Sequence, residues 1–492
     1  MRTIVLRPAV SGALLGGLIF GSVSLALASN ATTSGAAITL RPGMDLNTVV
    51  RDAPSGARFT LEPGIYRQQR IEPKDGQEFI ARDGVILNGA MILDRWTRSP
   101  GREVWIAEDI PPGPRPDGNC EKAHPLCGYR QDLFANSVPL ARVSSMSELD
   151  EHSWFYKDGA AYVSFDPNGK LMELSVTPVA FTGRARNVVV QNMVVEKYAS
   201  PAQHGAIDAR DGTGWTLRKV TARWNHGVGL YLNPGMRIIG GASNDNGQMG
   251  LGGVATGAVV DGIELARNNY AHFSRGWEAG GAKFVLSRDL IVRNTCVHDN
   301  GGPGLWTDGN NTNVLYEGNK VFDNDGSGIK HEISFDAVIR NNIVARNGRR
   351  SDEWLWGSQI LIQNSSGVEV YGNTVEVAPA YGNAISMIFQ DRRSPKYGTW
   401  YTKDNDVHDN TIIFLGASRM GGIVADFDEE KFWSHNTNKF DSNLYVVPDR
   451  RHKYWSTRRG PTRWRDLPSV GMEMNGKVMV EQRTPMKLSC DV

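Results

Sequence analysis

A short motif returns through the middle of this chain at intervals of about two dozen residues, and few folds accommodate such a period. One half of the motif is a β-forming run that ends on asparagine: Val188 to Asn192, Leu290 to Asn294, Val314 to Asn319, Ala337 to Asn342 and Val368 to Asn373. The other half is a glycine and an apolar residue after a polar turn, as in Gly229-Leu230, Gly281-Ala282, Gly304-Leu305, Gly328-Ile329 and Gly422-Ile423. Asn294 and Asn319 are 25 residues apart, and Asn319 and Asn342 are 23 apart. A unit this short cannot bury an apolar face alone, so units must stack. Short strands with no stripe at helical period predict a parallel β-solenoid over residues 181–445. Asparagine suits the turns, because it accepts left-handed backbone and can ladder onto the next coil. Leucine-rich repeats need a Leu-x-x-Leu-x-Leu frame, which is absent, and a propeller blade needs about 40 residues.

Other segments surround this repeat. Residues 29–94 read as an N-terminal cap and the first coils, with a short helix over Leu46 to Ala53 closing the open end. Residues 95–180 lose the period and hold Trp96, Trp105, two close cysteines and a Pro-rich loop, which predicts a small inserted β domain. Residues 446–492 read as a capping tail with Arg450, Arg451, Arg458, Arg459, Trp455 and Trp464. Residues 1–28 have the form of a signal peptide: Arg2 and Arg7, an apolar stretch from Gly12 to Leu27, and Ala26-Leu27-Ala28 as the cleavage site. A secreted or periplasmic protein with no stable membrane insertion after cleavage is expected. The net charge of +1, without a long basic block, argues against nucleic acid as a partner.

Export permits disulfides among the four cysteines. Cys120 and Cys127 flank one loop and are expected to pair, whereas Cys296 is expected as a small core residue. No Cys/His spacing resembles a zinc site, and Asp299, Asp323 and Asp325 lack the spacing of a calcium loop. No metal or cofactor is expected.

The chemistry concentrates in two stretches that superimpose, Gly304-Leu305-Trp306-Thr307-Asp308 and Gly328-Ile329-Lys330-His331-Glu332, whose starts are 24 residues apart. On successive coils, Asp308 and Glu332 would lie one above the other on neighbouring strands roughly 4.7–4.9 Å apart. Alternation turns Leu305 and Ile329 inward, and Trp306, Asp308, Lys330 and Glu332 outward. The same frame aligns Lys283 with Trp306 and Lys330, and puts Glu278 and Trp277 at the turn leading into that face. His331 is expected inside. Two carboxyl groups roughly 5–5.5 Å apart are the spacing of a retaining glycosidase. Stacked carboxylates repel unless one is protonated, and a general acid needs that raised pKa. Exposed tryptophans, here Trp277 and Trp306, suit stacking on a sugar ring, and Trp354 and Trp356 would extend the wall. A loop from Gln390 to Asn405, with Arg392, Arg393 and Trp400, is expected to overhang the groove.

The line Gly-Leu-Trp-x-Asp, then Asn-x-x-x-x-Asn, Gly-Ile-x-x-Glu-x-Ser and Ile-x-Asn-Asn-Ile, from Gly304 to Ile343, resembles the right-handed β-helix glycoside hydrolases of families 120 and 141. Gly280-Gly281-Ala282-Lys283, preceded by Glu278, is similar to the segment before it there, and those enzymes also interrupt their first coils with a small β domain. The resemblance implies a right-handed coil and a carbohydrate substrate, with Asp308 as nucleophile, Glu332 as general acid/base and Glu278 as a second candidate acid. Thr307 and Lys330-His331 depart from the family's more aliphatic residues. Lys283, Trp306, Trp277 and Lys330 are the expected substrate-binding residues. Two other functions fit the same surface: a polysaccharide lyase or uronate epimerase using Lys283, Lys330 or Arg340 as base, and a non-catalytic carbohydrate-binding solenoid.

Overall fold

The computed structural model describes residues 37–351 and 354–490, so the expected leader at 1–28 lies outside the described residues. Short strands follow one another from Ile38 to Val480 and stack coil on coil as a parallel β-helix. Three parallel stacks form its faces. One runs from Ile38–Leu40 to Lys439–Asp441. A second runs from Gly64–Arg67 to Lys477–Val480. The long strands Thr216–Arg223 and Arg237–Asn244 turn the corner between these two. The third stack is a separate 12-stranded sheet from Phe181–Thr182 to Gly460–Thr462, parallel except for its last pair.

The repeat motif works through two adjacent positions. The first turns the chain with left-handed backbone, as Gly318 (φ 66°), Asn341 (φ 57°) and Gly372 (φ 65°) do. The second, asparagine from Asn319 onward, points inward and ladders onto the next coil. Asn319 Nδ2 donates to Asn342 Oδ1 at 2.9 Å, Asn342 to Asn373 at 2.9 Å, Asn373 to Asn410 at 2.9 Å and Asn410 to Asn443 at 3.0 Å. Glu473 ends this ladder by accepting from Asn443. A second ladder joins Asn225, Asn246, Asn268, Asn300, Asn324 and Asn347, and ends on Gln359. Each amide gives its second N–H to a backbone carbonyl, as Asn342 does to Tyr316, so a buried turn keeps its polar groups satisfied.

Apolar side chains such as Leu251, Ala282, Leu305, Ile329 and Ile360 fill the interior without exposure. The helix Leu46–Asp52, capped by Asp45, covers one end with Leu46 and Val50. Tyr445, Trp455 and Trp464 pack ring against ring over the other.

The solenoid is interrupted after its first coils. Val190 pairs with Phe79 and Val195 with Leu87, so the chain resumes its stack roughly where it left. Between them lie two small sheets around a separate core that contains Trp154, Leu133 and Leu174. An ion cluster joins this insertion to the coils: buried Glu173 takes a salt bridge from buried Lys197 and another from half-buried Arg67 at 2.8 Å.

Cys120 and Cys127 form a disulfide. Cys296, expected as an unpaired core residue, is instead bonded to Cys490. Residues beyond the last strand run back along the second stack, where Arg346 donates to the Met486 carbonyl and Met486 N–H to Glu376. That return brings together two cysteines 194 residues apart, which no local pattern around Cys296 could register.

Candidate active site

The 12-stranded sheet presents Gly280–Val285, Leu305–Asp308, Ile329–Glu332 and Ser358–Gln363 as consecutive strands. Lys283 is opposite Trp306, and Trp306 opposite Lys330. Asp308 is opposite Glu332, and Glu332 opposite Gln363. The period of the repeat therefore aligns two outward columns, one cationic and aromatic, the other carrying carboxylates. Leu305, Thr307, Ile329 and His331 face inward and are fully buried. Burial pushes the His331 imidazole down to about 4, and its Nδ1 meets Thr307 Oγ1 at 2.7 Å, so it belongs to the core.

Three carboxyl groups share three cations unevenly. Lys283 Nζ is 2.8 Å from Asp308 Oδ2 and 3.2 Å from Glu278 Oε1, and also donates to the Trp277 carbonyl. Glu332 has more partners. Lys330 Nζ lies 2.6 Å from its Oε2, Arg392 donates to its Oε1 at 3.0 Å, and the Trp306 indole N–H donates to Oε2 at 3.1 Å. Burial alone would push Glu332 up, but Lys330, Arg392 and Lys283 outweigh it and hold its carboxyl below the usual range. Burial dominates at Glu278 and pushes it up against the pull of Lys283, with the nearby charge of Asp308 adding to the rise. The expectation that stacking on Asp308 raises Glu332 is thereby overturned, because the neighbouring cations outweigh the repulsion. Asp308 keeps its Oδ1 buried without a hydrogen-bond partner.

Trp306 is also not the open platform expected. It is 2 % exposed, with Lys283 Nζ 3.7 Å and Lys330 Nζ 4.4 Å from its ring centroid. Its faces serve the two ammonium groups, which leaves none for a sugar. Trp277 is half-buried and packs beside Phe273. Arg340 does not join the site: it lies on another stack and pairs with Glu317 at 2.8 Å.

Arg392 and Gln203 reach the site from loops between the strands. Arg392 comes from the overhanging loop, where Arg393–Ser394 and Gly398–Thr399 form a small hairpin and Trp400 donates to Asn310. Gln203 sits close enough to Glu278 to oppose its rise. The sequence places Arg392 on that overhanging loop without its contact to Glu332, and marks nothing at Gln203. Beside Lys330 opens a cavity of about 560 Å³, lined by Ser274, Arg275, Arg350, Trp356 and Leu361. Among the described residues, Glu121, His124 and His272 converge closely enough for a metal ion, and so do Cys296, His298 and Cys490, whose thiols are tied in the disulfide. Neither group contains a carboxylate of the site.

The family described as "Right handed beta helix region" matches residues 205–375. No curated protein matches the chain by sequence. Among solved structures, "The complex structure of XylC with xylose" is similar at 14 % identity and TM-score 0.67, over 89 % of this chain and 83 % of that one. The Azotobacter vinelandii mannuronan C-5 epimerase AlgE4 A-module gives 11 % identity and TM-score 0.44, over 77 % and 92 %. A structure titled "Glycoside hydrolase" gives 10 % and 0.42, over 82 % and 99 %. No helix among the described residues is long and apolar enough to cross a membrane. The stacked parallel strands, the family match and the likeness to XylC make the fold a right-handed parallel β-helix.

Proposed function

We propose that this protein hydrolyses glycosidic bonds with retention of anomeric configuration, by double displacement at Asp308. The observation that carries the reading is the shared ammonium: Lys283 touches both Asp308 and Glu278, while Glu332 has Lys330 and Arg392 to itself. Two carboxylates around one cation favour a proton on the pair. Burial directs that proton to Glu278. Their facing oxygens can be no farther apart than the two contacts to Nζ added together, 2.8 Å and 3.2 Å. That bound is shorter than the roughly 6.5–9.5 Å an inverting pair keeps open for water.

In the first step Asp308 attacks the anomeric carbon while Glu278 gives its proton to the leaving oxygen, and a glycosyl ester forms on Asp308. Glu278, now ionised, takes a proton from water as that water attacks the same carbon and releases Asp308. Glu332 stays ionised and holds Lys330, Arg392 and Trp306 in place. Support for a sugar substrate comes from the resemblance to families 120 and 141 and from the shared fold with XylC, whose structure is a complex with xylose. Two disulfides and the leader-like start support export to an oxidising compartment.

One observation favours a second assignment within the same reaction: Glu332, not Glu278, is in direct register with Asp308. Glu332 would then be the acid/base, once Arg392 withdraws. Aryl glycosides test both. Asp308→Asn should abolish turnover, and products followed by proton NMR should keep their configuration; wild-type-like turnover in Asp308→Asn, or inversion, ends the proposal. The donor variant, Glu278→Gln in the first assignment, should still cleave dinitrophenyl glycosides, lose poorer leaving groups, and be rescued by azide. That pattern in Glu332→Gln instead would transfer the donor role.

A further inference from the structure

A second cavity lies where the inserted domain meets the coils. It holds about 390 Å³ and is lined by Tyr129, Asp132, Arg142, Glu148, His226 and Tyr270, among others. Arg142 also lines a neighbouring cavity of about 350 Å³. Both volumes are in the range of small-molecule sites, roughly 300–1,000 Å³.

Arg142 is unusual in what it lacks. Its guanidinium lies 4.2 Å from the Tyr129 ring centroid, 5.0 Å from Trp154 and 5.2 Å from Tyr156. Among the described residues it makes no ion pair and no hydrogen bond. The two carboxylates of the cavity are committed elsewhere. Asp132 meets His226 Nδ1 at 3.0 Å and accepts from the Tyr270 hydroxyl at 2.8 Å. Glu148 accepts from Ser144 and Ser145. A planar fork of N–H donors is thus held in an aromatic box, with Asp132 near enough to act as a charge but no anion in contact with it.

His226 supplies an independent observation. It is 1 % exposed, it lines the same cavity, and its Nε2 is buried without a partner. Asp132 accepts from Nδ1–H, and in that tautomer Nε2 is an acceptor. A ligand that satisfies both groups brings an anion to Arg142 and a hydroxyl to His226.

We propose that this cavity is a binding site for a hydroxylated carboxylate of sugar-acid size, whose carboxylate pairs with Arg142 and whose hydroxyl donates to His226. The site shares no residue with the Asp308 cluster, so the proposal does not depend on the catalytic reading.

Calorimetric titration of the full chain with glucuronate, and with glucose as the neutral control, tests it. Glucuronate should bind saturably and glucose should not. Glu332→Gln should leave that binding intact, which separates it from the carboxylate cluster. Arg142→Gln should weaken it about tenfold or more, the range of a lost charge-assisted pair. Arg142→Lys, which keeps the charge but not the fork, should fall between them, and it serves if the glutamine variant does not fold. No saturable binding to the wild type, equal binding of glucose, or unchanged affinity in the Arg142 variants would each overturn the proposal.

Discussion

Removing Arg392 tests the charge distribution of the site more directly than removing a carboxylate does. Glu332 has a cation on each oxygen, Lys330 at 2.6 Å and Arg392 at 3.0 Å. The Lys330 side chain is 15 % exposed and that of Arg392 41 %, so water already screens part of the effect of Arg392. A guanidinium against a carboxylate lowers the pKa by about 1–3 units, and the exposure argues for the low end, about one unit. That is about 1.4 kcal/mol in favour of the ionised form. Because the folded-state pKa of Glu332 is depressed, its contribution to stability is present above the unfolded value and is lost as pH falls through the folded one. Arg392→Ala should therefore move that loss upward by about one pH unit. The assay is the pH dependence of kcat/KM on an activated aryl glycoside. If Glu332 must stay ionised while Glu278 gives the proton, the acidic limb rises by about one unit and the alkaline limb stays. If Glu332 is the donor, the alkaline limb rises. A profile in which neither limb moves refutes the reasoning, because it would mean that the clamp does not set the protonation of a group in the reaction.

Three further perturbations address the scaffold around the site. Lys283→Met strips Asp308 and Glu278 of their common cation; breaking such a buried pair costs about 3–5 kcal/mol, and urea unfolding at neutral pH should show the loss, smaller in acid where the carboxyls protonate. Asn342→Ala in mid-ladder leaves the Asn319 amide and N–H without their acceptor and should cost about 1–3 kcal/mol by denaturant melts, whereas an exposed threonine elsewhere replaced by alanine should cost little. Cys490→Ser frees the returning tail and should destabilise by about 2–4 kcal/mol, with new proteolytic cleavage beyond Val480 and unchanged turnover.

What could be read from the residues follows from how local each determinant is. The coil period, the inward leucine and isoleucine and the pairing of Asp308 with Glu332 all derive from a repeat with fixed strand alternation, so the sequence carries them at short range. The same logic aligned Lys283 with Trp306 and Lys330. The contacts made by side chains from the connecting loops and the tail stayed hidden, even where the loop itself was marked. Arg392 belongs to a loop 60 residues beyond Glu332, and it reverses the protonation expected from two stacked acids. Cys490 reaches Cys296 only because the tail doubles back. Alternation also gives direction without exposure: Trp306 points outward as expected, yet two lysines cover both its faces.

That cover explains how the site tolerates so much charge under little water. Lys283 and Lys330 are one coil to either side of Trp306, and each would be costly to bury alone. The indole between them offers a negative face to each ammonium and an N–H to Glu332, so one aromatic residue positions both cations and one anion. The arrangement holds the cations apart along the coil axis, one committed to the Asp308–Glu278 pair and the other to Glu332. Burial then raises Glu278 on one side of Trp306, while the neighbouring cations hold Glu332 down on the other. In the proposed double displacement, the contrast between a cation shared by Asp308 and Glu278 and cations held by Glu332 thus arises from which coil each lysine occupies and not from any single unusual side chain.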